Sequence, residues 1–171
     1  MKDILDKISS YNLFNYLLPG ILYVIIISEF SSIDLVQDDI VIGAFFYYFI
    51  GLAISRVGSL IIEPIFKKVK ILKFAEYSDF IEASEKDSKI ETLSESNNMY
   101  RTLVALFLTL VLSKFYIFLS TKFDWSQTTD FYITATLLLT MIVLAYRKQT
   151  KYITRRIHHH LNKKLWQHVV K

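Results

Sequence analysis

Lys114 is the one ionisable side chain deep inside an apolar run of this chain, which reads LVALFLTLVLSKFYIFLS around it. It lies six residues from the end of that run, about 9 Å along a helix. A charge at such a depth is a candidate for function, and no acidic residue within the apolar runs stands ready as its partner. Two uses follow. The long stem can carry the amine out towards lipid phosphates or towards Asp38 and Asp39. In an oligomer, a ring of Lys114 would favour anions or repel cations along a conduction path lined by Thr109, Ser113 and Tyr116, which share its helix. The other group with chemical potential is His158-His159-His160, with His168 beyond it. Successive helical residues point about 100° apart, so three adjacent imidazoles cannot all ligate one metal from a regular helix. The expectation is no metal site, with protonation near pH 6 adding charge to an already basic tail. The chain has no Cys, which removes thiolate and disulfide chemistry.

Arg155 and His160 spell R-x-x-x-x-H, which resembles the ribonuclease motif of HEPN domains. On one continuous helix the two side chains lie about 140° apart and build no joint site. No phosphate-binding loop, G-x-S-x-G, H-E-x-x-H or dinucleotide fingerprint occurs. Four Gly and two Pro leave little material for a loop that cradles phosphates. The expected catalytic, cofactor and metal assignments are therefore all none, and the chain reads as non-enzymatic.

The elements that must hold these residues are apolar segments at residues 11–28, 40–55, 102–120 and 131–146, separated by charge. Each is close to the ~20 residues that cross ~30 Å of hydrocarbon as a helix. The second and fourth are slightly short, so their ends reach the headgroups or thin the bilayer. The 171 residues are 53% hydrophobic and 15% aromatic, more apolar surface than a soluble chain of this size readily hides. A soluble helical bundle is the alternative, disfavoured by the length of the runs and the charges at their flanks. The expected fold class is all-α: a polytopic membrane protein with four transmembrane helices and cytoplasmic helical extensions. Residues 1–10 carry Lys2, Asp3, Asp6 and Lys7, and no small-residue cleavage site follows, so the first run reads as a retained span.

Charge sets the expected orientation. The loop at residues 29–39 has no Lys or Arg and carries Glu29, Asp34, Asp38 and Asp39, and the loop at residues 121–130 has only Lys122. Residues 56–101 carry Arg56, Lys67, Lys68, Lys70, Lys73, Lys86, Lys89 and Arg101, and the tail after Tyr146 adds eight more cations and no acid. The positive-inside rule places both termini and the middle segment on the cytoplasmic side of the membrane. Phe123, Trp125, Phe131 and Tyr132 suit the outer aromatic belt, and Tyr11, Tyr100 and Tyr146 the inner one.

The chain divides into a first hairpin (1–56), a cytoplasmic amphipathic segment (57–101), a second hairpin (102–146) and a basic helical tail (147–171). Pro19-Gly20 is expected to kink the first span or restart it. Gly58 and Glu63-Pro64 mark a disturbance or end of the second. Gly43, Tyr47, Gly51 and Ser55 recur every four residues and read as a helix-packing face. Thr102, Thr109, Ser113, Tyr116 and Ser120, then Tyr132, Thr136 and Thr140, and Asn15, Pro19 and Tyr23, form polar or small faces on the other spans. Arg56 and Glu63 share a helix face, suited to an interhelical salt bridge or lipid contact. Lys67, Lys68 and Lys70 read as contacts to anionic lipid. Ser88 and Thr92 open possible capping boxes. Residues 94–98 read as a turn, and Phe80, Ile81, Ser84, Ile90 and Leu93 as one helix face. In the tail, Ile153, Ile157, Leu161, Leu165 and Val169 make a drifting apolar stripe, with Arg155, Arg156, Lys163 and Lys164 as candidate partner or lipid contacts. Residues 74–100 are acidic, with Glu76, Asp79, Glu82, Glu85, Asp87, Glu91 and Glu95 against Lys86 and Lys89, so this stretch and the basic tail invite pairing, within one subunit or between neighbours.

The stretches YNLFNYLLPG, ISRVGSLIIEPIFKK and DFIEASEKDSKIETLSESNNMYR resemble those of bacterial four-span membrane proteins. The layout of four spans, cytoplasmic middle segment and basic tail is similar to the membrane subunits of Kiwa-type antiphage defence systems, the KwaA-like family. Some RNA-targeting CRISPR systems also carry small membrane accessory proteins. The resemblance implies a homo-oligomer that works with a cytoplasmic protein partner, acting as sensor or effector by recruitment and membrane perturbation. Direct nucleic-acid binding is not expected. A stand-alone channel or transporter and a structural scaffold remain the alternatives.

Overall fold

All four Gly and both Pro fall within the first 64 residues, and this asymmetry shapes the fold. Beyond Pro64 no Gly or Pro interrupts a helix, and the longest helices lie there. A computed structural model describes the backbone of residues 10–169 and the side chains of residues 11–161. The charges expected at residues 1–7, and the side chains of Lys163, Lys164, Leu165, His168 and Val169, lie outside the described residues. Helix α1 covers residues 10–30, α2 Ile40–Lys68, α3 Tyr77–Lys86, α4 Lys89–Lys122 and α5 Gln127–Val169. The described residues contain no strand. Helices α1, α2, α4 and α5 are each long and apolar enough to cross a membrane. At 1.5 Å per residue, α4 runs about 51 Å and α5 about 64 Å, well beyond ~30 Å of hydrocarbon.

Pro19-Gly20 does not restart α1, which runs on through it to Phe30. A π turn over Leu13–Leu17 precedes it, closed by the Leu18 N–H donating to the Leu13 carbonyl. The second span repeats the device. A π turn over Gly58–Ile62, closed by the Glu63 N–H to the Gly58 carbonyl, precedes Pro64, and α2 continues to Lys68. The wider turn relieves the clash between a proline ring and the carbonyl four residues earlier, so the helix survives its proline.

Helices α1 and α2 cross at backbone contact. A Cβ on Gly20 would lie 1.8 Å from the Tyr47 carbonyl oxygen, and one on Gly51 would lie 1.6 Å from that of Tyr16. Only glycine permits this approach. Helix α4 lays Ala105, Leu106 and Leu110 against Ile27, Ile54 and Ile62 to complete the core. Helix α5 differs, because no residue of its most apolar 18-residue window is buried. Its apolar side chains face outward, as lipid-facing residues do.

Asp39 starts α2, its Oδ1 accepting from Val41 N at 2.8 Å and Ile42 N at 2.9 Å, a side-chain N-cap. Helix α3 is amphipathic and buries Ile81. The capping boxes at Ser88 and Thr92 do not form as expected: Ser88 makes no side-chain cap, and Asp87 Oδ1 instead accepts from Lys89 N at 2.9 Å. The expected turn at residues 94–98 is also absent. Helix α4 runs straight through it, propagated from the span with no Gly or Pro to stop it. Of the face expected there, Phe80 and Ile90 are half-buried while Leu93 is exposed.

Candidate functional site

Two polar clusters hold the helices together, one near each end of the spans. At the end where α2 and α5 leave the bundle and α4 enters it, Glu63 gathers three cations from three helices. Its Oε1 accepts from Lys67 Nζ at 2.9 Å, and its Oε2 from Arg101 Nη1 at 3.0 Å and Lys148 Nζ at 3.2 Å. The carboxylate side chain is 10% exposed, against 45% for Lys67, 22% for Arg101 and 24% for Lys148. The local backbone explains why Lys148 is there. In the π register the Glu63 N–H goes to Gly58, so the next donor, which the Ser59 carbonyl would take, falls on Pro64 and does not exist. Lys148 Nζ donates to that carbonyl and binds Glu63 with the same amine. An aromatic rim borders the group: Lys67 Nζ lies 4.3 Å from the Phe74 ring centroid, Lys148 Nζ 5.8 Å from that of Tyr152, and Tyr77 packs 6.4 Å from Tyr152.

At the opposite, loop end, Asp130 of α5 accepts from Tyr116 OH at 2.8 Å and from Ser120 Oγ at 3.0 Å, both on α4. Trp125 and Phe123 stack beside it at 6.4 Å. Asp130 and Lys148 are 18 positions apart, about 27 Å of helix, and Arg101 and Ser120 are 19 apart, about 28 Å. Both spacings match the ~30 Å hydrocarbon thickness. The two clusters thus sit where polar groups would meet the two faces of a bilayer.

Beside the Glu63 cluster, towards the middle of the spans, lies a buried uncharged one. Asn15, in the first π turn, accepts from Thr102 Oγ1 at 2.8 Å and donates through Nδ2 to Ser55 Oγ at 3.4 Å and Tyr11 OH at 3.2 Å. Asn15 and Thr102 are fully buried, so α1, α2 and α4 are joined by hydrogen bonds that water does not compete for.

The residues expected to pack helices divide: Gly51, Ser55 and the Tyr47 carbonyl meet α1, while Gly43 lies against its own helix and the loop before it. Gly51 touches the Tyr16 backbone, Ser55 joins Asn15, Tyr47 OH accepts from Gln37 N at 2.9 Å, and a Cβ on Gly43 would first meet the Tyr47 ring at 3.3 Å and Gln37 at 3.4 Å. The candidates for a conduction path also have neighbours within the chain. Lys114 Nζ donates to the Phe30 carbonyl at the end of α1, where a cation complements the helix C-terminus. Ser113 Oγ pairs with Tyr23 OH at 2.8 Å, and Tyr116 is held by Asp130. Thr109 Oγ1 is buried with no partner among the described residues. Of the candidate lipid and partner contacts, Lys67 belongs to the Glu63 cluster, Lys68 and Lys70 are exposed at the end of α2, and Arg155 and Arg156 are exposed on α5. Ile153, Ile157 and Leu161 are half-exposed on the same helix. The rings of His159 and His160 meet edge-on at 5.8 Å, and no group of three metal-ligating side chains forms among the described residues.

Sequence reasoning missed Arg101 and Lys148 as partners of Glu63, and Asp130 as the other anchor. One signal was present: Glu63 is an acid at the end of an apolar span, flanked on the same face by Lys67 one turn later. Comparison of the chain with protein families, with curated proteins and with solved structures finds no match.

Proposed function

We propose that the chain is a non-enzymatic, multi-pass subunit of a bacterial inner membrane, with both termini in the cytoplasm. It assembles with copies of itself and recruits a soluble cytoplasmic partner through its basic tail, as sensor or effector of an antiphage defence system. The observation that carries this reading is the length of α5. Its 43 residues form one unbroken helix, of which about 27 Å suffices to join the two polar clusters. The rest continues as helix past the Glu63 cluster, with exposed Arg155 and Arg156 beside half-exposed Ile153 and Ile157. A basic amphipathic helix of this kind suits docking by charge and an apolar stripe. The defence role draws its support from the resemblance in layout. The stand-alone channel draws less, since Ser113 and Tyr116 are engaged within the chain.

Orientation is checked cleanly because the chain has no Cys. Single cysteines at Ser32 and Ser126 are expected to react with an impermeant maleimide on intact spheroplasts, and one at Gln149 only after lysis. The reverse pattern overturns the topology. Docking is checked by co-purification with the soluble products of adjacent genes. Arg155→Glu with Arg156→Glu should leave membrane insertion intact and lose the partner. Undiminished recovery of the partner with this variant would rule the tail out as its dock.

A further inference from the structure

We propose that Lys67, Arg101 and Lys148 form a binding site for the phosphate group of an anionic membrane lipid, with Glu63 holding the three cations in place and limiting the affinity. One carboxylate against three cations leaves two positive charges in excess. The donors are also in excess: the three side chains carry about eleven N–H groups, of which the Glu63 carboxylate and the Ser59 carbonyl take four. An arginine fork beside two ammonium groups is a geometry that suits phosphate oxygens.

Position decides the source of that phosphate. The cluster lies about 27 Å along α5 from the Asp130 cluster, which puts it at headgroup depth if these helices cross a bilayer. The lipid phosphates are the anions at that level. Lys67 is 45% exposed and opens the cluster to the outside. Phe74, Tyr77 and Tyr152 form its rim, and tyrosine is a residue that settles among headgroups. Lys68 and Lys70, exposed beside it, strengthen the local positive potential. The site needs only that the spans cross a membrane and is independent of what the tail docks.

The test uses the purified full chain in mild detergent, titrated with phosphatidylglycerol or phosphatidylethanolamine and read by native mass spectrometry. Phosphatidylglycerol should bind in preference. Lys67→Gln, an exposed change that leaves the core intact, should lower its affinity about tenfold, and Lys67→Gln with Arg101→Gln further. Glu63→Gln should raise it, since the carboxylate no longer competes for the cations, and a purely structural role for the cluster predicts no such gain. Equal retention of both lipids, or wild-type retention by both Lys67 variants, overturns the proposal. So does full displacement of phosphatidylglycerol by millimolar inorganic phosphate or glycerol phosphate, which would make this a site for soluble anions.

Discussion

Gly51→Val and Gly20→Val are each expected to abolish the folded protein, while Gly43→Ala leaves it close to wild type. The three glycines look alike in sequence, and their surroundings separate them. A Cβ on Gly51 or Gly20 would penetrate a backbone carbonyl of the facing helix, at 1.6 Å and 1.8 Å. Backbone cannot rotate away as a side chain can, so α1 and α2 must part. Overpacking of an ordinary core costs about 1–3 kcal/mol, and separating these helices also pulls Asn15 from Ser55 and Thr102, so the loss should exceed ~3 kcal/mol. At Gly43 the new methyl meets the Tyr47 ring at 3.3 Å, a side chain that can shift. The higher helix propensity of Ala, worth about 0.8–1.0 kcal/mol over Gly, offsets that strain. Gly58→Ala should fall between, because its Cβ would lie 3.2 Å from the Arg101 carbonyl oxygen. Thermal unfolding in mild detergent, followed by circular dichroism, ranks the four. If Gly51→Val melts with the wild type, the close crossing of α1 and α2 is wrong.

The contrast among glycines also shows what one sequence can carry. The four-residue spacing of Gly43, Gly51 and Ser55 marks a face of α2, because periodicity is a local property. That Gly20 is the counterpart of Gly51 is not local, and Pro19 beside it suggests a break instead. The π turns are equally hidden: one extra residue per turn over five residues leaves no periodic trace. Span positions and the helical tail were legible from hydropathy and charge. The apparent turn at residues 94–98 misled because Ser and Asn favour turns through local side-chain bonds. Here Ser96 Oγ donates to the Thr92 carbonyl, so the hydroxyl bonds back along the helix rather than ending it. Arg101 and Lys148 reach Glu63 across 38 and 85 positions, a distance over which a single sequence gives charge balance but no pairing.

Glu63→Ala should be the most damaging single change among the charged residues. It leaves Lys67, Arg101 and Lys148 converging on nothing, and the three helices that supply them lose their common anchor. Removing one partner of a buried ion pair costs about 3–5 kcal/mol. Water reaches the three cations here, so about 2–3 kcal/mol is the fitting expectation. The partners should not be equal. Lys67 is 45% exposed and one turn away on the same helix, and Lys67→Met should cost under ~1 kcal/mol. Lys148→Met should cost more, because it also strips the donor from the Ser59 carbonyl, which the π turn and Pro64 leave with no other. Double-mutant cycles separate these terms: coupling of Glu63 with Lys148 and Arg101 should exceed coupling with Lys67. The geometry gives the reason, since Lys148 and Arg101 join different helices to Glu63 while Lys67 only decorates its own. A cycle in which Lys67 carries the largest coupling would mean that α5 is held chiefly by Asp130, and that the Glu63 cluster does not fix where α5 leaves the bundle.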